Sequence, residues 1–468
     1  MNKYKKLVSD TILMTIGGFS SKILVFLLLP IYTYILTTEE YGVADLFVTT
    51  INLLIPILTL SIAEATFRFA FDKDINQNKN LLNSFLILLL SCVVLIPIML
   101  LLSFWNDSFL VYGGFFFWLY FSCAAHTILF NYARGTDHIR VFVLSNVLYT
   151  MILVSLNILF LTVFRWQLKG YLLSMICSYF GSSLFILVAL KVWKACKKTY
   201  FDFHLLKTML KFSIPMIVST TAWWAMNSLD KYMIINFFGM DASGLFGVAQ
   251  KIPTIITVFS SIFIQAWQIS AISVHGQKDS NEFYTNVYKV YEVGLFIAAA
   301  GIIFLTKPLA AFLFQKDYFS AFEFVPVLVL SGIFSCLASF LQSPFVAAKK
   351  SSVLLQSTLI GAMFNIGANY ILMMEMGVIG AAYATLFSFM LTWAIRLWKS
   401  RKYVVLNIEW KYTLPSMILL ISEAILVSLD IDNSMIYSAI IFVLILLMRF
   451  NTIKELLSSV IVMIKKNR

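Results

Sequence analysis

LLNSFLILLLSCVVLIPIMLLLS, residues 81–103, contains no charged side chain. As a helix with a rise of about 1.5 Å per residue it measures about 34 Å, enough to cross a hydrocarbon core of about 30 Å. Runs of the same kind extend from it in both directions. They place spans near 11–36, 42–70, 81–103, 110–133, 141–164, 169–192, 212–237, 244–271, 287–306, 325–347, 352–373, 377–398, 412–429 and 434–449. Composition agrees: 60% of the residues are apolar and 12% charged, about half the charge of a soluble chain. The first run follows Lys3, Lys5 and Lys6 and continues past Pro30, too long for a cleaved signal peptide. The fold class expected is therefore all-α: a polytopic membrane protein with about fourteen transmembrane helices, in the cell membrane.

Positive charge tests that count, because lysine and arginine accumulate in cytoplasmic loops. With the N-terminus inside and the spans alternating, inner segments hold all but seven of the 35 cations, among them Arg68, Lys289, Arg396 and Arg449. Outer loops hold only Arg165, Lys169, Lys307 and Lys316. A missed span would scramble this asymmetry downstream of the error, and it persists to the last loop, so both termini are expected in the cytoplasm. Topology also explains the net charge of +12, and nucleic acid is not expected as a partner. The five cysteines have no metal-ligand or disulfide-framework spacing.

The chain also shows weak internal symmetry. Glu40-Tyr41-Gly42 at the start of the second span corresponds to Ala242-Ser243-Gly244 at the start of the eighth, an offset of 202 residues. Asn157 and Gly170 correspond to Asn369 and Gly380, at offsets of 212 and 210. Six spans per half make the repeat parallel, a layout that transporters use, with the path between halves. The organisation expected is a six-helix bundle over 1–200, a pseudo-symmetric second over 201–402, and two additional helices with a cytoplasmic tail over 403–468. Pro30, Pro56, Pro215 and Pro253 fall in the spans that open each half. Proline kinks a helix, although it is also ordinary in membrane helices.

Three cations lie inside spans, where topology does not account for them: Lys22, Lys231 and Lys251. Charge at the bilayer centre costs about 3 kcal/mol on insertion scales. Lys22 sits roughly 16 Å from the inner end of its helix, beyond the reach of a snorkelling side chain. Lys231 and Lys251 are shallower, and snorkelling competes with function there. Glu64 and Arg68, four apart on one helix face, form either an intrahelical pair or part of a pathway lining. The acids counted within spans are Asp45, Glu64, Asp230 and Glu423, of which Glu64 and Asp230 are ion-coupling candidates. Cations at staggered depths suit an anionic substrate, whereas a cation exporter is expected to centre on buried acids.

Of the four histidines only His126 lies in a span, and a satisfied structural role is the favoured reading. No G-x-x-x-x-G-K-[ST] motif, metal cluster or nucleophile motif is present, so no cofactor, metal or catalytic residue is expected and the chain is read as a non-enzyme.

The stretches "SSK" ending at Lys22, "LLP-x-YT" over 28–33, "EEYG" over 39–42, "LLIPILTL" over 53–60, the Glu64/Arg68 pair, "SLDKYMI" over 228–234, "QAWQISA" over 265–271 and "NIGANYILMMEMGVIGAAYATLFSF" over 365–389 form a recognisable set. Together they resemble bacterial polysaccharide flippases, the polysaccharide-transporter branch of the superfamily that also holds multidrug exporters and lipid II flippases. Glu64 stands where that family pattern leads one to expect aspartate. The resemblance implies two six-helix bundles plus two helices. It also implies alternating access that moves an undecaprenyl-diphosphate-linked oligosaccharide from inner to outer leaflet for surface polysaccharide assembly. Lys22, Arg68, Lys231 and Lys251 would then meet the diphosphate. Energy would come from a membrane potential or an H+ or Na+ gradient. The partners expected are the lipid-linked oligosaccharide, membrane lipids and glycan-assembly enzymes. The alternatives are a multidrug/cation antiporter of the same fold, a membrane polysaccharide polymerase or ligase, and a scaffold for glycan-assembly enzymes.

Overall fold

The computed structural model describes residues 26–70, 72, 75–195, 200–274, 280–348, 350–450, 452 and 454, and no strand occurs among them. The helices used below are α1 Leu29–Ile35, α2 Thr38–Leu58, α3 Ile62–Ala70, α4 Gln77–Trp105, α5 Gly113–Gly135, α6 Ile139–Asn157, α7 Gln167–Ala189, α8 Phe203–Ala249, α9 Lys251–Val274, α10 Ser280–Phe304, α11 Val325–Phe340, α12 Ser351–Met376, α13 Ile379–Ser400, α14 Trp410–Ser428 and α15 Ser434–Met448. Eleven helices among the described residues are long and apolar enough to cross a membrane. One of these, Phe203–Ile264, contains the seventh expected span and most of the eighth. The last expected span is the shorter apolar helix α15. Of the first span, only the part from residue 26 onward is described. The chain is an all-α polytopic membrane protein.

The decisive stretch forms α4. Leu89, Leu90, Val93, Leu100 and Leu101 point out of the protein and are exposed. Such a face is unfavourable in water by about 25 cal/mol per Å² and at home in hydrocarbon.

Contacts divide the chain into two compact units, Met1–Ala225 and Met226–Arg468. In the first, α7 packs on α5 and α6, and α3 lies against α5. Gly135 permits that approach: a Cβ there would sit 2.8 Å from the Phe67 carbonyl oxygen and 2.6 Å from Ala70 Cβ. In the second, α11 is the central helix, packed against α9, α10, α13 and α14. Its residues are buried almost without interruption from Val325 to Phe340, as an all-round apolar sequence requires. α14 and α15 pack on each other and on α10, so the two helices that the repeat leaves over are part of this unit's core.

One expected span is broken, and one expected loop is reduced to a single non-helical residue. Residues 42–70 are not one helix: α2 ends at Leu58 and α3 starts at Ile62. Between them Leu60 and Ser61 adopt left-handed φ of 52° and 51°, which costs roughly 1–2 kcal/mol per residue. Pro56 explains the site. The ladder is already interrupted there, and the Ser61 N–H donates to the Pro56 carbonyl at 2.8 Å. The expected loop at 238–243 is instead a kink at Gly239, φ 88°, inside α8, a conformation that only glycine adopts without strain.

The paired positions Gly170/Gly380 and Asn157/Asn369 have comparable local surroundings. A Cβ on Gly170 would stand 3.0 Å from Phe160 Cβ, and one on Gly380 2.2 Å from the Leu372 carbonyl oxygen. Both glycines let a helix close on the helix before it. Asn157 and Asn369 are both fully buried; each donates one helical turn back, to the Leu153 carbonyl at 2.8 Å and to Asn365 Oδ1 at 2.9 Å respectively.

Two cations assigned to inner loops are buried. Arg396 is 6% exposed and lies in the last turns of α13, which runs on to Ser400. Its guanidinium joins three helices, donating to the Ala338 carbonyl at 2.8 Å and to Ser357 Oγ and Thr358 Oγ1 at 3.0 Å each. Arg449, just beyond α15, is 2% exposed and bonded to Glu292. Glu292, inside the expected ninth span, belongs with the span acids and was missing from their count.

Candidate functional site

Lys22, the deepest of the expected cations, lies outside the described residues. The other candidates lie on α3, α8 and α9.

In the first unit, α3 carries Glu64 in its first turn and Arg68 in its last, the arrangement the helix dipole favours. Its inner face is held by Thr66, whose hydroxyl is 2.7 Å from Ser84 Oγ, and by Asn80, which donates to the Thr66 carbonyl at 3.1 Å. The outer face is left open. Arg68 is exposed and pairs with Asp72 at 2.9 Å, one turn further on, and not with Glu64. Glu64 is half-buried and has no ion-pair partner among the described residues. The intrahelical pair read from the four-residue spacing is therefore replaced by its equivalent one turn along.

Polar and aromatic groups are also buried in that unit's largely aliphatic interior. Asp45, Tyr41 and Tyr32 are buried, and the Tyr32 and Tyr171 rings meet edge to face at 4.9 Å. His126 Nε2 lies 3.0 Å from Ser182 Oγ. The Ser182 hydroxyl donates its one proton to the Ser145 carbonyl at 2.8 Å, so the imidazole must be the donor and carries its proton on Nε2. His126 is thus a satisfied structural histidine, as its sequence context suggested.

In the second unit, Asp230 and Lys231 are 2% and 7% exposed. Asp230 Oδ1 accepts from the Lys231 backbone N–H at 3.0 Å. α8 runs beside α12: the Met226 side chain abuts Gly361, and the Phe237 ring lies 6.1 Å from that of Tyr370. One turn beyond Met226 is Asp230, and one turn beyond Gly361 is Asn365. Asn365 donates toward Thr385 Oγ1 at 3.5 Å and accepts from Asn369 at 2.9 Å. The sequence marks Asp230 as a site candidate and Asn369 only as a repeat position, and does not single out Asn365 or Thr385. The four-residue spacing Asn365/Asn369 in an apolar helix was the available signal. Lys251 opens α9, half-buried. No cluster of three or more metal-binding side chains occurs among the described residues.

The polysaccharide biosynthesis protein family matches residues 7–273, more than half of the sequence. The chain belongs to that family. It is similar to an uncharacterized membrane protein of Methanocaldococcus jannaschii, with 23% identity over 399 residues that cover 81% of this chain and 94% of that one. Among solved structures, the lipid II flippase MurJ in an inward closed conformation has a TM-score of 0.70 at 14% identity, covering 95% of this chain and 100% of that one. A multidrug resistance transporter of the MATE family and MOP superfamily, facing inward, has a TM-score of 0.68 at 16% identity, covering 82% and 95%. At these identities the likeness is one of fold.

Proposed function

We propose that this protein is a flippase that moves a lipid-diphosphate-linked oligosaccharide, carried on undecaprenyl, from the inner to the outer leaflet of the cell membrane for surface polysaccharide assembly. The observation that carries the reading is a lysine, Lys231, buried within an apolar helix of a polysaccharide biosynthesis family member. Intramembrane ionisable groups mark substrate and ion pathways, and a pathway that carries a lysine suits an anionic cargo such as a diphosphate.

On this reading Lys22, Lys231 and Lys251 contact the diphosphate. Arg68 is already engaged with Asp72 and takes part only by exchanging that partner. Asp230 is the ion-coupling residue, with Asn365 and Thr385 supplying neutral oxygens at its level, and Glu64 is a second candidate. The lipid tail stays in hydrocarbon throughout, so only the head group needs a polar route. A potential of 100 mV contributes about 2.3 kcal/mol per charge moved.

Lys22→Ala tests the cationic route. Surface polysaccharide should be lost while the protein stays inserted at its normal level. Normal export by that variant would remove the cationic basis of the proposal.

A further inference from the structure

Glu292 is a deeply buried acid that the transport reading leaves without a role. It lies where α10 meets α14 and the end of α15. Its Oε2 accepts from Thr413 Oγ1 at 3.0 Å and from Arg449 Nη2 at 3.3 Å, and the Glu292 and Arg449 side chains are 3% and 1% exposed. Buried guanidinium–carboxylate pairs are commonly bidentate. This one has a single contact, and Glu292 Oε1 and Arg449 Nε have no hydrogen-bond partner among the described residues.

Both residues line a small recess, together with Thr285, Tyr288, Lys289 and Glu409. The charge rule assigns this end of the unit to the cytoplasm. The other polar groups near Glu292 are accounted for. Lys289 donates to Glu409 at 2.8 Å, pairing those two charges with each other. From α13, Trp393 Nε1 donates to the Tyr288 hydroxyl at 3.1 Å. From α9 and α11, Ser260 and the Cys336 carbonyl engage Tyr291. Arg449 is therefore the one charge committed to Glu292, and it reaches only one of the two oxygens. A buried carboxylate oxygen without a donor is unfavourable, and a proton on that oxygen removes the charge.

We propose that Glu292 is a proton-exchange site. Its enclosed Oε1 gains and loses a proton, exchanged with solvent through the recess that Glu292 lines, while Oε2 stays with Thr413. The inference rests on the transport reading for its purpose, as a place where a proton gradient is sensed or used, but not for its chemistry. Protonation adds one positive charge to the cluster and leaves Arg449 without its counter-charge. The electrostatic tie between α10 and the end of α15 then weakens, and deprotonation restores it.

The experiment is an infrared pH titration of the full-length protein in lipid nanodiscs, following the protonated-carboxyl C=O band. A band that grows on acidification and is lost in Glu292→Gln, but retained in Glu423→Gln (the other deeply buried carboxyl of this unit), is the expected result. An identical titration in wild type and Glu292→Gln overturns the proposal. If Glu292→Gln does not fold, Thr413→Val removes one donor from Oε2 and should move the midpoint of the band, and an unmoved midpoint counts against the site. No transport step enters the readout. A Glu292 band without export contradicts the flippase reading alone, and export without a Glu292 band contradicts this inference alone.

Discussion

Arg449→Met strands the Glu292 carboxylate in the core of the second unit. The magnitude follows from the geometry. Unit charges 3.3 Å apart attract by about 5 kcal/mol at an effective dielectric of about 20, and removing one partner of a buried pair costs about 3–5 kcal/mol. The two estimates agree because both side chains are almost wholly enclosed, so solvent screening offsets little. For a unit of this size each kcal/mol lowers the melting temperature by about 2–4 °C, so Arg449→Met should melt on the order of 10 °C below wild type. Combining it with Glu292→Leu should recover most of that loss, because an apolar replacement of both partners strands no charge. The assay is thermal unfolding of the purified protein in detergent, followed by retention of the monodisperse peak. The single variant should also lose less at acid pH, where a proton on Glu292 removes the stranded charge. A double variant as unstable as Arg449→Met would refute the reasoning, as would an Arg449→Met protein that melts with wild type.

Three further outcomes are expected. Gly380→Ala places a methyl group 2.2 Å from a backbone oxygen of α12, so the α12–α13 hairpin must open. Overpacking of this kind costs about 1–3 kcal/mol, and the fall in melting temperature should exceed that of Gly170→Ala, whose added atom meets side chains at 3.0 Å. Lys231→Met should remove a substrate charge while keeping the length and packing of the chain, so export should fall with normal membrane levels, and Lys231→Arg should retain part of it. Asp202 caps α8, accepting from the Leu205 N–H and from Lys79 Nζ at 3.0 Å each, and the Leu205 amide, followed by Lys79, holds its carboxyl below the usual aspartate range. Its contribution to stability is present above the unfolded value of about 3.9 and disappears as pH falls through the lower folded value. Asp202→Asn should flatten acid denaturation in that window, measured by unfolding against pH.

The spans were legible because a membrane demands about 20 apolar residues in a row, and α4 declares this without ambiguity. The break between α2 and α3 was not. Pro56 was visible, but the left-handed Leu60 and Ser61 depend on tertiary support that a periodicity cannot carry. The basic residues show the same division. Charge counting placed Arg396 and Arg449 in loops, because it registers proximity to a span end and is blind to the Ala338 carbonyl or the Glu292 carboxylate that holds each one inside. Glu292 is one acid among the apolar residues of its span, and spacing alone does not single it out. Glu423 lies in a helix without a repeat partner, yet it is buried against Ser438 of α15 in the same core. Local spacing did mark the repeat-related glycines and asparagines, because close approach of two helices and a donation one turn back are demands a sequence position meets by itself.

The central claim is that an anionic lipid-linked glycan crosses the membrane through this protein. The measurement that tests it most directly is the chemical identity and sidedness of the lipid-linked intermediate that accumulates when the protein is removed. The account predicts a lipid-diphosphate oligosaccharide confined to the cytoplasmic leaflet and inaccessible to reagents added outside. Accumulation of single repeat units already exposed on the outer face would contradict it.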